Sequence, residues 1–374
     1  MDNCLGVLIN KNIDRNFSSL CKSRPSYMLP YGGKYRLVDI AVSNLVNNGI
    51  KTIALYTGDK VRSTMDHLGD GKPWELNRRF TGLFLFPPVY EDGYGGNLGD
   101  IHQLYSTEQF LKYTKEEYVF IGHPNILAKV HLNEVFKEFI DSGADITMIY
   151  KEQIDPKGDY VNCDKIHINS QGKFKNIGLN LGVEKKFNLY MGMCFIKKDV
   201  LLALIEQSVE TGDTNSLKEA ILINKNKLKI NTYEFKGHVE IINNLSSYYE
   251  ANLNLLDPEI YKEIFFKQGI IYTKPKDEPP TIYMDSSKVQ NSVIANGCVI
   301  EGVVENSIIF RGVKIGKNAI VKNSILMQKS EIADHAVVVN SIIDKYSYID
   351  KEVMIAGSPY IPYVVQKRGR IRKD

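Results

Sequence analysis

One triplet recurs four times near the C-terminus: Asn291-Ser292-Val293, Asn306-Ser307-Ile308, Asn323-Ser324-Ile325 and Asn340-Ser341-Ile342, at steps of 15, 17 and 17 residues. A second phase keeps the 17-residue step, in Ile315-Gly316-Lys317-Asn318-Ala319, Ile332-Ala333-Asp334-His335-Ala336 and Ile349-Asp350-Lys351-Glu352-Val353. Within each period the apolar residues fall near every sixth position, with one five-residue step. This is hexapeptide spacing, in which three short strands close one triangular coil. Branched residues fill the inside of each strand, and small or polar residues turn the corners. No coil can bury its apolar face alone, so the coils must stack. The reading predicts a β-helix over 285–374.

The first 150 residues follow a different rule. Runs such as Leu5-Gly6-Val7-Leu8-Ile9, Thr52 to Thr57, Tyr118 to Ile121 and Asp145 to Tyr150 are β-rich. Between them, Asp39 to Asn48, Val61 to Leu68, Ile101 to Leu111 and Leu132 to Ile140 carry helical spacing. Gly49 supplies a helix stop. Strands alternating with helices predict βαβ units and a mostly parallel sheet covered on both faces. Ligands of such sheets sit in the loops beyond the carboxyl ends of the strands. Lys274-Pro275-Lys276-Asp277-Glu278-Pro279-Pro280 can be neither helix nor central strand and marks a boundary. The expected organisation is a domain over 1–256, a linker over 257–284 and the β-helix after it.

Composition excludes several classes. The 374 residues are 43% hydrophobic and 24% charged, which is globular and not disordered. Lys plus Arg number 47 against 44 Asp plus Glu, so no whole-protein field exists to grip nucleic acid or an anionic membrane. No apolar run is long enough to span a bilayer. The N-terminus lacks the basic-then-apolar pattern of a secretory signal. Cys4, Cys21, Cys163, Cys194 and Cys298 are scattered and odd in number, so neither a disulfide framework nor a zinc site is expected. Reduced thiols and a cytoplasmic location are the expectation.

The run from Pro30 to Asn44, Pro-Tyr-Gly-Gly-Lys-Tyr-Arg-Leu-Val-Asp-Ile-Ala-Val-Ser-Asn, resembles the signature of glucose-1-phosphate adenylyltransferases, also called ADP-glucose pyrophosphorylases. Asn48-Gly49-Ile50, Gly143-Ala144-Asp145-Ile146-Thr147, Glu184-Lys185, Met191-Gly192-Met193 and Ser247-Tyr248-Tyr249-Glu250-Ala251-Asn252 continue the resemblance in order. It implies a nucleotidyltransferase-type, Rossmann-like α/β domain on a mixed sheet, followed by a left-handed β-helix. The implied reaction joins glucose 1-phosphate to ATP and releases pyrophosphate, with Mg²⁺ and cationic clamps carrying the developing charge.

Four departures bear on that reaction. The family's G-G-x-G-T-R-L phosphate cradle is replaced by Asn10-Lys11-Asn12-Ile13-Asp14-Arg15-Asn16-Phe17, and no glycine occurs between Gly6 and Gly32. Bulky residues there hinder close approach of backbone to phosphate. In Arg24-Pro25-Ser26-Tyr27-Met28, Ser26 stands where the family has a phosphate-binding Lys, while Arg24 remains. In Gly122-His123-Pro124-Asn125-Ile126, the Mg²⁺ aspartate position is Pro124; in Val239-Glu240-Ile241-Ile242, the second is Ile241. Glu240 is adjacent, but neighbours along an extended segment point to opposite faces.

No catalytic residue and no bound cofactor are therefore expected, Mg²⁺ belonging to a catalytic partner subunit. Binding chemistry carries over at Glu184 and Lys185 for the sugar phosphate. Lys34 and Arg36, with Arg24, match positions implicated in effector control, and an anion site of this type is physically sound. His335 is read as a surface coil residue and not as an acyltransferase base. Gly93-Tyr94-Gly95-Gly96-Asn97-Leu98-Gly99 is read as a mobile loop, and the basic run Lys367 to Lys373 as a frayed terminus. Together the pattern resembles the GlgD-type regulatory subunits of this family. It implies a hetero-oligomer, in the form of a tetramer, with a catalytic subunit of glycogen precursor synthesis. A sugar phosphate is the expected effector; neither nucleic acid nor membrane is an expected partner. Two alternatives stand beside it: an active adenylyltransferase, and a stand-alone sugar-phosphate sensor.

Overall fold

The computed structural model describes residues 1–88, 99–156 and 158–373. The first domain opens with β1 (Cys4–Ile9), α1 (Leu37–Asn47), β2 (Thr52–Tyr56), α2 (Val61–Leu68) and β3 (Gly82–Phe86). There follow α3 (Asp100–Tyr105), α4 (Glu108–Tyr113), β4 (Tyr118–Gly122), β5 (Ile126–Ala128), α5 (Leu132–Ser142) and β6 (Ile146–Ile154). The domain continues with β7 (Asp164–Ile168), β8 (Phe174–Leu179), β9 (Lys186–Lys197), α6 (Lys198–Thr211), α7 (Leu217–Ile223) and β10 (Ile230–Glu234). It ends with β11 (Val239–Ile241), α8 (Leu245–Leu253) and α9 (Pro258–Phe265).

β1 has no charged residue and is buried along its whole length, as a central parallel strand requires. It pairs in parallel with β2 on one side and β4 on the other, and β2 pairs in parallel with β3. The expectation of a mostly parallel sheet holds only for this half. The 12-residue β9 runs antiparallel to β4, β6 and β7, so the nine-stranded sheet is mixed. β9 reads Phe187-Asn188-Leu189-Tyr190-Met191 and then a continuous buried run, long enough to reach across several neighbours. The helix expected over Ile101 to Leu111 is two helices. The Thr107 and Ser106 hydroxyls donate to the carbonyls of Leu104 and Gln103, at 3.1 and 2.8 Å. Such local bonds compete with the helical ladder and break it between α3 and α4.

The second domain is the left-handed β-helix that the repeat implies. Three parallel sheets of six, five and five strands form its faces, beginning at Ile282–Tyr283, Lys288–Gln290 and Val293–Ile294. Ile300, Ile315, Ile332 and Ile349 stack in register as one interior column, and Val304, Val321, Val338 and Ile355 as another. The repeated triplet has a mechanical meaning. Asn291, Asn306, Asn323 and Asn340 all turn a corner with φ between +41° and +48°, a region Asn tolerates better than most residues. The serine behind each bridges coils: Ser324 N–H donates to Ser307 Oγ at 3.1 Å, and Ser341 N–H to Ser324 Oγ at 3.2 Å. His335 is an exposed corner residue at φ +60°.

The run Lys367 to Lys373 corrects the expectation of a frayed end. Arg370–Ile371 pairs with Tyr348–Ile349, and Arg368 N–H donates to the Lys345 carbonyl, so this run closes the last coil. Residues 257–284 contain α9 and the strand Ile282–Tyr283. The third face of the β-helix packs on the first domain. Ile308, Phe310, Ile325, Met327 and Ile342 share one core with Phe17, Leu20, Tyr31, Tyr248, Tyr249 and Phe265.

Candidate functional site

The carboxyl ends of β1 and β4 open on a cleft, where open α/β sheets bind their ligands. A cavity of about 340 Å³ lies there, lined among others by Asn10, Lys11, Gln103, His123, Asp164 and Lys218. Asn10 is buried and its side-chain oxygen has no hydrogen-bond partner. His123 Nδ1 lies 2.9 Å from the Ile9 carbonyl, which can only accept, so Nδ1 carries the proton and Nε2 is the free acceptor. Burial, and then the Lys11 charge, holds His123 well below the usual histidine range. Asp100 accepts from the backbone of Leu217 and Ile101 at 2.8 and 3.1 Å; burial raises its carboxyl. Asp164 pairs with Lys218 at 2.8 Å.

Ser26 is fully buried and is not one of the residues lining this cavity. Its N–H donates to Asp14 at 2.8 Å, and Asp14 also pairs with Lys60 at 2.9 Å. The Ser26 hydroxyl reaches Asn125 at 3.4 Å, whose own side-chain nitrogen is buried without a partner. This corner offers hydroxyl and amide groups where a phosphate would need a cation.

Pro124 and Ile241 come together. β5 and β11 pair antiparallel with Ile126 opposite Ile241, and the Ile242 N–H donates to the Asn125 carbonyl at 3.0 Å. Pro124 is two residues before Ile126, so both positions lie at one end of the cleft. Neither side chain has a donor atom. Glu240 does not substitute: it is buried, lies 2.7 Å from His238 Nε2 and accepts from Asn254 at 2.8 Å. Mg²⁺ wants hard oxygen ligands, usually one or two carboxylates. The residues at these two positions do not fit it. Among the described residues no cluster of His, Cys, Asp and Glu is built to hold a metal.

Glu184 and Lys185 are exposed, just before β9. Glu184 pairs with Lys165 at 2.9 Å, which lowers its carboxyl. The Lys185 carbonyl accepts from Asp155 N–H at 2.8 Å. Neither residue lines the cavity. The Gly-rich run at 93–98 lies outside the described residues.

A second, strongly basic cavity of about 450 Å³ lies between the domains, lined by Ser23, Arg24, Arg36, Arg62, Ser63, Asp66, Lys345, Lys367 and Arg368. Arg36 and Arg24 meet here, while Lys34 stands apart on the exposed tip of the Pro30–Tyr31/Tyr35–Arg36 hairpin, over the Tyr35 ring. Arg24 is not a free cation, since it pairs with Asp344 of the β-helix, both side chains being almost wholly buried. Arg36 donates to the Met28 carbonyl at 3.0 Å, and burial lowers it to about 10. Burial, with the charges of Arg36 and Arg24, pushes Lys345 well below the usual lysine range. Crowded cations of this kind gain most from a bound anion. Lys345, Arg62, Lys367 and Arg368 escaped the sequence reading. The tail cations were visible there, but only the docking of the last coil brings them to Arg36.

The nucleotidyl transferase family profile matches residues 16–160, and the GlmU-like C-terminal hexapeptide profile residues 281–359. The glycogen biosynthesis protein GlgD of Geobacillus stearothermophilus is 33% identical, covering 84% of this chain and 82% of that protein. The Bacillus subtilis protein of the same name is 30% identical, covering 84% and 81%. The glucose-1-phosphate adenylyltransferase of Bacillus subtilis is 26% identical, covering 84% and 83%.

Proposed function

We propose, from the premise that this chain belongs to the GlgD family of glycogen biosynthesis proteins, that it is a regulatory subunit which has lost the catalysis of its adenylyltransferase relatives. The observation that carries this reading is the meeting of Pro124 and Ile241 at one end of the cleft, with Glu240 turned away to His238 and Asn254. Metal stabilisation of phosphoryl transfer is worth several kcal/mol, and each 1.36 kcal/mol is tenfold in rate. The chain would assemble with a catalytic subunit, as a heterotetramer, and alter its rate or affinity. The basic interdomain cavity would take the phosphate of a sugar-phosphate effector. Its walls come from both domains, so an anion there would bias how the domains sit together. An effector shifts such an equilibrium only by its differential affinity for the two states.

The test is pyrophosphate release from ATP, glucose 1-phosphate and Mg²⁺, with this chain alone, a catalytic subunit alone, and the two mixed. The expected result is no turnover alone and an altered rate or affinity in the mixture. Clear turnover by this chain alone would overturn the reading and favour an active enzyme. Failure to form a complex with the catalytic subunit would favour a stand-alone sensor.

A further inference from the structure

Lys129 is a buried charge that neither cavity described above uses. It is 1% exposed, yet no described carboxylate lies within ion-pair distance of it. Its ammonium makes one hydrogen bond, to the Gly269 carbonyl at 3.1 Å. An ammonium has three donors, so two are left without a protein acceptor. Burial alone pushes this group down to about 8, as expected of a cation without an anion to face. A buried cation of this kind is costly, and proteins normally pair it.

The surroundings are open on one side. Lys129 borders a cavity of about 520 Å³ between the start of α5, the edge strand β10 and the turn after α9. On the same wall Gln268 carries a second orphan: its side-chain oxygen is buried with no donor. The turn that presents it is held stiffly. Gln268 has φ +62° and Gly269 φ +92°, and a Cβ at Gly269 would come within 2.7 Å of Asn47. Asn47 also donates to the Ile270 carbonyl at 2.9 Å. A non-glycine residue held at positive φ costs free energy and persists only where its surroundings fix it. Glu134, Glu138 and Glu234 edge the opening, against Lys236 and Lys267.

We propose that this cavity is a binding site for a small carboxylate that carries hydroxyl or amino donors beside its carboxyl group. The carboxylate accepts from Lys129, and a neighbouring O–H or N–H donates to the Gln268 oxygen. The glutamates at the rim accept the remaining donors and disfavour ligands with several negative charges. The cavity shares no lining residue with the degenerate cleft or with the basic interdomain cavity, so the site is separate from both. A second ligand would thereby have its own point of action on the first domain.

Calorimetric titration and thermal shift of the full chain at neutral pH would use D-gluconate, L-serine and acetate as probes. Gluconate represents the hydroxy-carboxylate source, serine the amino-carboxylate source, and acetate lacks the extra donors. The expected result is saturable binding of gluconate or serine at millimolar concentration, with acetate at least about tenfold weaker. Lys129→Met and Gln268→Leu should each weaken binding by about tenfold or more. Gln268→Leu lies in a surface turn and keeps the test intact if Lys129→Met fails to fold. No saturable binding of either gluconate or serine would overturn the proposal, as would unchanged affinity in Gln268→Leu.

Discussion

Arg24 and Asp344 are 320 residues apart in the chain and form an ion pair whose side chains are 4% and 1% exposed. Burying such a pair costs desolvation that its attraction only partly offsets, whereas removing one partner leaves the other charge stranded. Asp344→Asn should therefore destabilise the protein by about 3–5 kcal/mol, read from the denaturation midpoint. The double variant Arg24→Met/Asp344→Leu should recover much of that loss. A single variant as stable as the parent would mean that water or a displaced cation already screens Arg24. The histidines give a second residue-scale expectation. His67 is lowered by burial, against the pull of Asp39 at 2.6 Å and with the push of Arg36 and Lys345; His123 is lowered further, by burial and Lys11. Both are held below the ordinary histidine value, while an unfolded histidine takes up a proton near 6.5. Unfolding thus gains protons as pH falls through about 6.5, and stability declines below it. Tm should drop between pH 7 and pH 5.5, and His123→Gln should flatten the slope. An equal slope in that variant would assign the acid sensitivity elsewhere.

At the scale of elements, the β-helix is a set of coils joined by repeated small bonds. Ser324 shows the logic: its hydroxyl donates to the Lys322 carbonyl at 2.7 Å and accepts from Ser341 N–H at 3.2 Å, with no exposed surface. Ser324→Ala strips the buried Ser341 N–H of its acceptor, while the Lys322 carbonyl keeps the Asn340 N–H at 3.1 Å; the change should cost about 1–3 kcal/mol, which chemical denaturation would measure. Asn323→Gly should cost less, because glycine accepts the +47° φ and only the side-chain bond to Asn340 at 3.2 Å is lost. If the two costs were reversed, the Asn column and not the Ser column would hold the coils. These positions were legible in the sequence because period and corner chemistry are local properties. So was α1, where Asp39 takes the Arg36 N–H at 3.0 Å in the first turn and Val38, Val42 and Leu45 face the core. The break at Ser106 and Thr107 was not legible, since apolar spacing carries through it. Nor was β9, whose pairing with β4, β6 and β7 is decided by partners distant in sequence. In the cleft, Pro124 and Ile241 could be singled out as residue types unable to hold a metal. Their meeting, and the turning of Glu240 toward His238, depend on the β5–β11 ladder.

At the scale of the whole molecule, the domain junction does two jobs. Its apolar part joins Phe17, Tyr249 and Phe265 to Ile308, Phe310 and Ile342 in one core. Its polar part gathers Arg36, Arg62, Lys345, Lys367 and Arg368 around the basic cavity, with Asp66 the one carboxylate among its lining residues. The two parts oppose each other: burial of apolar surface closes the junction, and like charges resist closure. An anion in the cavity would remove that resistance, so its binding energy would appear as stability of the docked arrangement. Inorganic phosphate should therefore raise Tm, saturably and more than chloride at equal ionic strength. Lys345→Met removes a cation that burial and the neighbouring Arg36 and Arg24 disfavour. It should raise Tm without phosphate and shrink the phosphate-induced rise, so the two effects have opposite signs in one variant. Scanning calorimetry over a phosphate series reads both. A variant that lowers Tm without phosphate would show that Lys345 is already balanced by its neighbours. The junction would then be held by its apolar core alone, and the charge cluster would carry no coupling between the domains.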